Sequence, residues 1–404
     1  MPSDDFCEIE ERGPFEVITV ESLAALQDQV RRASSGNRAM YPLGGGTMLD
    51  IGLPPTKPGL AINLCRLDQV IDFPARDMTI TVQAGITFAR LQERLATEQQ
   101  RLPVDVPQPE RATLGGALAT NVSGPRRYAF GTLRDYVIGI TVVNDDGQET
   151  KAGGRVVKNV AGYDLPKLHI GALGTLGIIT QVTLKVRPLP EAQAMSIAQC
   201  AVEALPDLLD RIHASTTRPV CIEVLATPTT REAFQVMIGF EENKQTVAWQ
   251  VEKLHQELRA GCILEVKRDT DAARAFRDLA EAAPDPAIAL SFKANLAPSA
   301  LAAFLKTART FDPAFLQAHA GNGIVIGGFT SDLTLERATA MLKVLLDAAV
   351  AAKGNLVLLR CPTAWKSTLP VWGKPRGDLE LMRAVKERLD PKRIFNPGRF
   401  IDGI

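Results

Sequence analysis

The sequence lacks a net charge: 46 Lys and Arg stand against 46 Asp and Glu. Such a balance gives no field to draw the chain to nucleic acid or to an anionic membrane, and the pair Arg126–Arg127 is too small to change that. No apolar run approaches the ~18 residues of a membrane span. The opening Met1-Pro-Ser-Asp-Asp-Phe-Cys-Glu is acidic, without the basic-then-apolar order of a secretory signal. A cytoplasmic protein with no membrane span is the expectation. The six cysteines (Cys7, Cys65, Cys200, Cys221, Cys262 and Cys361) never form Cys-x-x-Cys, so the spacing for a zinc site or an iron–sulfur cluster is missing. Reduced thiols in the core are expected, and electron transfer through iron and sulfur needs another polypeptide. A strict Gly-x-Gly-x-x-Gly is also absent, which weighs against a Rossmann dinucleotide site. No Gly-Lys-Ser/Thr follows any glycine loop, which excludes a Walker A motif. Gly321-x-Gly323-x-x-x-Gly327 has the wrong spacing for either.

What is present is an ordinary globular composition, 46% hydrophobic and 23% charged, over 404 residues. That is too long for one core and suits two or three domains. Leu23, Leu26 and Val30 recur at helical spacing within Glu21 to Ser34, and Ser-Ser-Gly closes that helix at Gly36. Val137 to Asn144, the turn Asp145-Asp146-Gly147 and Gln148 to Ala152 read as a hairpin. The β-branched strand Leu176 to Val186 is stopped by Pro188-Leu-Pro190. Beyond it, strand and helix patterns between Ala194 and Val266 follow a β-α-β-β-α-β order, and a similar alternation returns between Ala272 and Leu359. The expected fold class is α+β, the second half being an antiparallel sheet with helices on one face. Four segments are expected: a lead over 1–14, a first domain over 15–188, a cap over 189–378, and a C-terminal helix and tail over 379–404 that returns to the first domain.

Glycine is unevenly used. Gly44-Gly45-Gly46-Thr47 follows a strand, and three residues without Cβ let backbone N–H groups converge on an anion; an ordinary tight turn uses the same residues. A second cluster runs from Pro107 through Thr113-Leu-Gly115-Gly116 to Asn121-Val-Ser123-Gly124. Thr113 there caps a short helix with two glycines in its first turn, an arrangement that offers open N–H donors to phosphate. Close helix packing is the alternative. A third cluster, Val160-Ala-Gly162-Tyr163-Asp164-Leu-Pro-Lys167-Leu, leads to Gly171, Gly174 and Gly177 and the strand Ile178-Ile179-Thr180.

These clusters in this order resemble the FAD-binding domain of the vanillyl-alcohol oxidase, or PCMH, type over roughly residues 15 to 187. The resemblance implies a two-subdomain FAD cradle. Gly44, Gly45, Gly46 and Thr47 would surround the pyrophosphate. Pro107, Thr113, Gly115, Gly116, Ser123, Gly124 and Gly131 would run beside flavin and pyrophosphate, and Gly162, Asp164 and the Ile178–Ile179 backbone would line the far side. Some members attach FAD through histidine or cysteine near these loops. Residues 44–49 and 107–131 contain neither, which implies non-covalent FAD. The second half and the closing Phe395-Asn-Pro-Gly-Arg399 are similar to D-lactate and glycolate dehydrogenases, and within them to the FAD-binding subunits of bacterial glycolate oxidases. That resemblance implies a 2-hydroxy acid such as glycolate or D-lactate as substrate. It also implies a catalytic flavin subunit and an iron–sulfur subunit as partners, through which the chain would reach the inner membrane peripherally.

One motif departs from that pattern. Catalytic relatives carry His-x-Gly-Asp-Gly-x-x-His and a later Glu-His pair for a divalent metal. Here stands His319-Ala-Gly321-Asn322-Gly323-Ile-Val-Ile326, and Leu359-Arg360-Cys361-Pro362 occupies the place of the pair. One nitrogen ligand and no carboxylate hold a metal poorly, so no metal is expected. The catalytic group is left unassigned. His319 reads as a structural remnant or a general base, and Arg360 as a carboxylate contact or an ordinary salt bridge.

Overall fold

The computed structural model describes residues 6–154, 164–226, 233–258, 263–281, 287–375 and 377–404. The chain forms two compact units. One comprises Met1–Val122, Thr132–Leu189 and Pro375–Ile404; the other comprises Ser123–Gly131 and Pro190–Lys374. This partition differs from the linear division expected from sequence in two places. The lead over 1–14 is part of the first unit, because Phe6–Ile9 and Arg12–Thr19 pair as a hairpin whose turn residues Glu10 and Glu11 adopt φ of 55° and 54°. Residues 123–131, counted with the first domain, belong to the second unit. Arg126 there donates through Nε and Nη2 to the buried Glu241 at 2.9 and 2.8 Å and lies 4.0 Å over the Phe276 ring. A desolvated guanidinium with one carboxylate and one aromatic face is a strong local anchor.

The first unit contains two sheets. Arg12–Thr19 and Ala39–Leu43 run parallel on either side of Gly59–Asn63, with Phe6–Ile9 antiparallel at the edge. Helix Leu23–Ser35 starts at Ser22, whose hydroxyl accepts from Ala25 N at 3.2 Å. Its Leu26, Val30 and Ala33 bury against Met40, Ile62, Ile394 and Phe395. The second sheet is antiparallel, in the order Val70–Asp72, Thr79–Gln83, Ile178–Lys185, Val137–Val143, Glu149–Gly153. The hairpin expected over 137–152 is its edge, with Gly147 at φ 77° in the turn.

The second unit is built on one antiparallel sheet of eight strands. Its order is Ile263–Arg268, Ala192–Ala201, Ala233–Glu242, Cys221–Ala226, Phe315–His319, Ile324–Thr330, Ile288–Asn295, Asn355–Arg360. The two β-α-β-β-α-β halves thus share a continuous sheet. Phe292 meets Phe304 of helix Leu301–Arg309 edge-on at 6.4 Å. Tracing the register across the strands, Met195, Ile197 and Met237 point to the opposite face. That face is covered at one end by Ala272, Ala275, Phe276 and Leu279 of helix Asp269–Glu281. Helix Asp269–Glu281 therefore departs from the single-face layering.

Candidate functional site

The first unit holds a cleft, open to solvent, between the loop after Leu43 and the helix after Thr113. Gly44, Gly45, Gly46, Thr47, Pro107, Thr113 and Gly116 all line it, as do Ile9, Leu173, Asn396 and Arg399. The glycines are there because nothing larger fits. A Cβ on Gly44 would lie 2.1 Å from Thr113 Oγ1, and one on Gly45 would lie 1.7 Å from the carbonyl oxygen of Arg111. Gly46 takes φ 68°, the left-handed turn that brings successive amides to one side. Among the described residues, the amides of Gly44, Gly45, Gly46, Thr47 and Met48 donate to no protein acceptor. Five consecutive unused donors at a cleft make a cradle for an anion.

The second glycine cluster works differently from the sequence expectation. Helix Leu114–Thr120 is capped by Thr113, whose hydroxyl accepts from Gly116 N at 3.3 Å. Leu114 N donates to Ile86 O at 2.9 Å, Gly115 N to Ala84 O at 2.7 Å, and Ala117 N to Thr113 O at 2.9 Å. All four first-turn donors are taken by the protein. The expectation of open N–H groups at this helix is corrected: carbonyls of Ile86 and Ala84 take two of them and Thr113 takes the other two. Gly115 is glycine because a Cβ would stand 3.0 Å from Ala84, while Gly116 keeps the cleft wall low. The helix ends at Asn121 in the left-handed region, and Asn121 Oδ1 is buried with no hydrogen-bond partner among the described residues.

The C-terminal tail forms the back of the cleft. Arg399 donates to the carbonyls of Leu49, Ile51 and Leu53 at 2.5, 2.8 and 2.7 Å, which fixes the loop that follows the glycines. Burial lowers its pKa. Asn396 Nδ2 donates to Leu173 O at 2.6 Å, and Phe395 extends the strand Ala39–Leu43 through Met40. Beneath them Lys386 Nζ reaches Thr175 O and Asp390 at 2.7 Å and Phe395 O at 3.1 Å. Arg111 stands at the rim, donating to Gly45 O at 3.2 Å and Gln108 Oε1 at 3.1 Å. Sequence reasoning gave no role to Arg111, Leu173 or Lys386. For Arg111 a signal existed, a cation inside the glycine-rich segment; for the other two there was none.

Other expected residues lie elsewhere. Ile178 and Ile179 pair with Val143 and Val142 inside the sheet, and Ile178 packs in the core beside Phe395 rather than lining the cleft. Asp164 is exposed and pairs with Lys167. Gly162 lies outside the described residues. Ser123, Gly124 and Gly131 belong to the second unit, where Ser123 Oγ accepts from Arg127 at 2.9 Å and Gly131 ends the turn of helix at φ 79°. The packing of 123–131 against its own sheet accounts for this placement.

In the second unit His319 is 3% exposed, and its Nδ1 lies 2.8 Å from Oε1 of Glu223, which is fully buried. Gln317 Nε2 donates to the same carboxylate at 2.9 Å and to Leu279 O at 3.0 Å. The expectation that no carboxylate accompanies His319 is thereby corrected: Glu223 is supplied by the neighbouring strand, where it faces His319 in register. The glycines around it are steric. A Cβ on Gly321 would lie 2.1 Å from the Tyr128 ring, and Gly323 takes φ 64°. Arg360 stands on the edge strand, with two strands between it and that of His319. Among the described residues no three His, Cys, Asp or Glu side chains gather as a metal site.

The residues of the first unit fit a flavin dinucleotide. Five unused amides at an open cleft, on a loop whose Gly44 and Gly45 pack too closely on Thr113 and Arg111 for side chains, suit a diphosphate. The family described as FAD binding domain matches residues 14–153, and that described as FAD linked oxidases, C-terminal domain, matches residues 373–400. Residues 14–153 thus carry an FAD binding domain, and the chain is an FAD-dependent oxidoreductase. Among its relatives, glycolate oxidase subunit GlcD of Bacillus subtilis (strain 168) is 27% identical over 394 residues, 89% of this chain and 83% of its own length. Glycolate oxidase subunit GlcE of Escherichia coli (strain K12) is 33% identical over 195 residues, 45% of this chain and 55% of its own. D-lactate dehydrogenase of Archaeoglobus fulgidus is 23% identical, covering 96% of this chain and 91% of that protein. The solved structure of alkyldihydroxyacetonephosphate synthase superposes with a TM-score of 0.69 at 21% identity, over 95% of this chain and 77% of that one; that likeness shows the fold. No helix among the described residues is long and apolar enough to cross a membrane.

Proposed function

We propose that this chain is the FAD-binding subunit of a glycolate oxidase-type complex that oxidises a small 2-hydroxy acid. The relatives act on glycolate, D-lactate or D-2-hydroxyglutarate by name, and all are CH–OH donors. Oxidation to the 2-oxo acid releases a hydride equivalent from carbon and a proton from the hydroxyl. Bound FAD supplies the two-electron acceptor. The chain's own residues bind and orient it: the amides of residues 44–48 hold the diphosphate, and Arg399, Asn396 and Lys386 keep that loop and its back wall fixed. The electrons leave through a partner flavin subunit and an iron–sulfur subunit, since no cysteine spacing here serves a cluster.

The observation that carries the subunit reading is the contrast between the two units. The amides of residues 44–48 stand unused at the cleft, whereas Asn322 and Ile326 replace the aspartate and second histidine of the metal motif at the His319 turn. Anaerobic titration of the purified chain with glycolate or D-lactate tests it. A yellow protein that stays oxidised until partner subunits are added supports the proposal, and a colourless protein that takes up no FAD refutes it. Bleaching of the isolated chain favours a second reading, an independent dehydrogenase. The His319–Glu223 pair is the specific observation behind that reading: a carboxylate on Nδ1 leaves Nε2 to accept a proton. Asn322 Oδ1, buried without a hydrogen-bond partner among the described residues, offers an acceptor on the same turn.

A further inference from the structure

The cradle has a deficit of charge. A dinucleotide diphosphate carries two negative charges at neutral pH, and the five amides of residues 44–48 are neutral. Arg399, which lines the same cleft, is turned away by its three carbonyls and held by them. The helix dipole after Thr113 offers little, because its first-turn N–H groups already have acceptors. Arg111 is different. Its side chain is exposed, and its hydrogen-bond partners at 3.1 and 3.2 Å are the neutral Gln108 Oε1 and Gly45 O. Its own carbonyl is the atom that a Cβ on Gly45 would strike at 1.7 Å, so its backbone and its guanidinium both touch the loop that carries the free amides.

We infer that Arg111 supplies the positive charge for the diphosphate of the bound flavin dinucleotide and sets the preference of this cleft for FAD over riboflavin. The inference rests on the FAD reading above and deepens it. Its logic is exchange of partners. A guanidinium resting on two neutral acceptors gains more from a phosphate oxygen than it loses, because the phosphate keeps the hydrogen bond and adds the attraction of an opposite charge. Its attachment to Gly45 O keeps it at the lip before the ligand arrives, so little side-chain freedom is lost on binding.

The test uses the full chain stripped of flavin, titrated with FAD and with riboflavin by quenching of flavin fluorescence at low and moderate salt. Arg111→Gln is expected to raise Kd for FAD roughly tenfold at low salt, to flatten its salt dependence, and to leave riboflavin affinity unchanged. Arg111→Lys, which keeps the charge, should restore most of the FAD affinity. Three results overturn the inference: FAD binding by Arg111→Gln within twofold of the parent chain with the same salt dependence, an equal loss for riboflavin, or Arg111→Lys as weak as Arg111→Gln. If the parent chain itself takes up no FAD, the functional reading falls, and this inference with it; tight binding by parent and Gln variant alike removes only the role of Arg111.

Discussion

Replacing Gly44 with alanine should destabilise the first unit, and removing the Thr113 side chain as well should rescue most of that loss. The three nearest atoms to a Cβ at position 44 all belong to Thr113: Oγ1 at 2.1 Å, Cβ at 3.2 Å and Cγ2 at 3.3 Å. Gly44 needs no left-handed backbone, so the penalty is steric alone. Thr113 cannot simply swing away, because its hydroxyl caps helix Leu114–Thr120 through Gly116 N. Gly44→Ala therefore combines overpacking, about 1–3 kcal/mol, with loss of a cap, about 1 kcal/mol. Thr113→Ala alone loses only the cap. In the double variant the new methyl occupies the space that the hydroxyl and Cγ2 vacate, so its cost should be close to that of Thr113→Ala. The expected coupling is about 2–4 kcal/mol in the stabilising direction. For a unit of this size each kcal/mol moves Tm by about 2–4 °C, so Gly44→Ala should melt several degrees below the double variant. Calorimetry reads this directly, and the transition of the first unit is recognised as the one FAD raises by mass action. Additive losses in the double variant, or a neutral Gly44→Ala, would refute the steric account of the glycine loop.

Three further outcomes follow from the same geometry. Lys386→Met leaves the Asp390 carboxylate, which is fully buried, without its cation; a loss of about 3–5 kcal/mol, seen as a drop of roughly 10 °C or more in the same calorimetric transition, is expected. Burial lowers the pKa of His169 to about 4, below the 6.5 of an exposed imidazole. The unfolded chain then binds the proton first, so stability is complete above pH 6.5 and falls as pH drops from 6.5 toward 4. The loss approaches about 3 kcal/mol, and urea unfolding of His169→Leu against the parent at pH 7 and pH 4.5 should show its removal. Glu223→Ala strands Gln317 Nε2 and His319 Nδ1 in the core of the second unit and should cost it about 2–4 kcal/mol, while FAD affinity measured by fluorescence stays at the parent value.

The parts of this molecule that were legible in its sequence are those set by local chemistry. The helix at Leu23–Ser35 announces itself through Ser22, the 3.6-residue apolar spacing and Gly36. The helix Leu379–Leu389 has the same expected and observed bounds. The glycine loop at 44–46 was legible as a close backbone approach after a strand, because three residues without Cβ mark one. What was hidden depends on residues far apart in the chain. Two first-turn donors of helix Leu114–Thr120, the amides of Leu114 and Gly115, meet carbonyls of Ile86 and Ala84 some 28–31 positions back in the chain, and no local pattern reveals that. Glu223 meets His319 across 96 residues because two strands happen to be neighbours. Residues 123–131 looked continuous with the glycine cluster, yet the Arg126–Glu241 pair binds them to the other unit. Composition could not distinguish that anchor from a solvated charge.

The tail shows how stability and cofactor binding become one property. Lys386, Asp390, Phe395, Asn396 and Arg399 form a continuous set of contacts from a buried ion pair to the loop beyond the glycines. Each link satisfies a backbone group: Asp390 accepts from Ile394 N and Phe395 N at 3.0 and 2.9 Å, and Arg399 donates to carbonyls at 49, 51 and 53. With the carbonyls of Gly45, Met48, Leu49, Ile51 and Leu53 held by the protein, the amides of residues 44–48 are left to offer at the cleft. The same restraint that lowers the entropy of residues 44–53 before binding is what lets five weak donors act together on one anion. Disturbing the pair at Lys386 should therefore weaken FAD binding by a larger factor than its effect on a distant surface ligand, even though no atom of Lys386 lines the cleft.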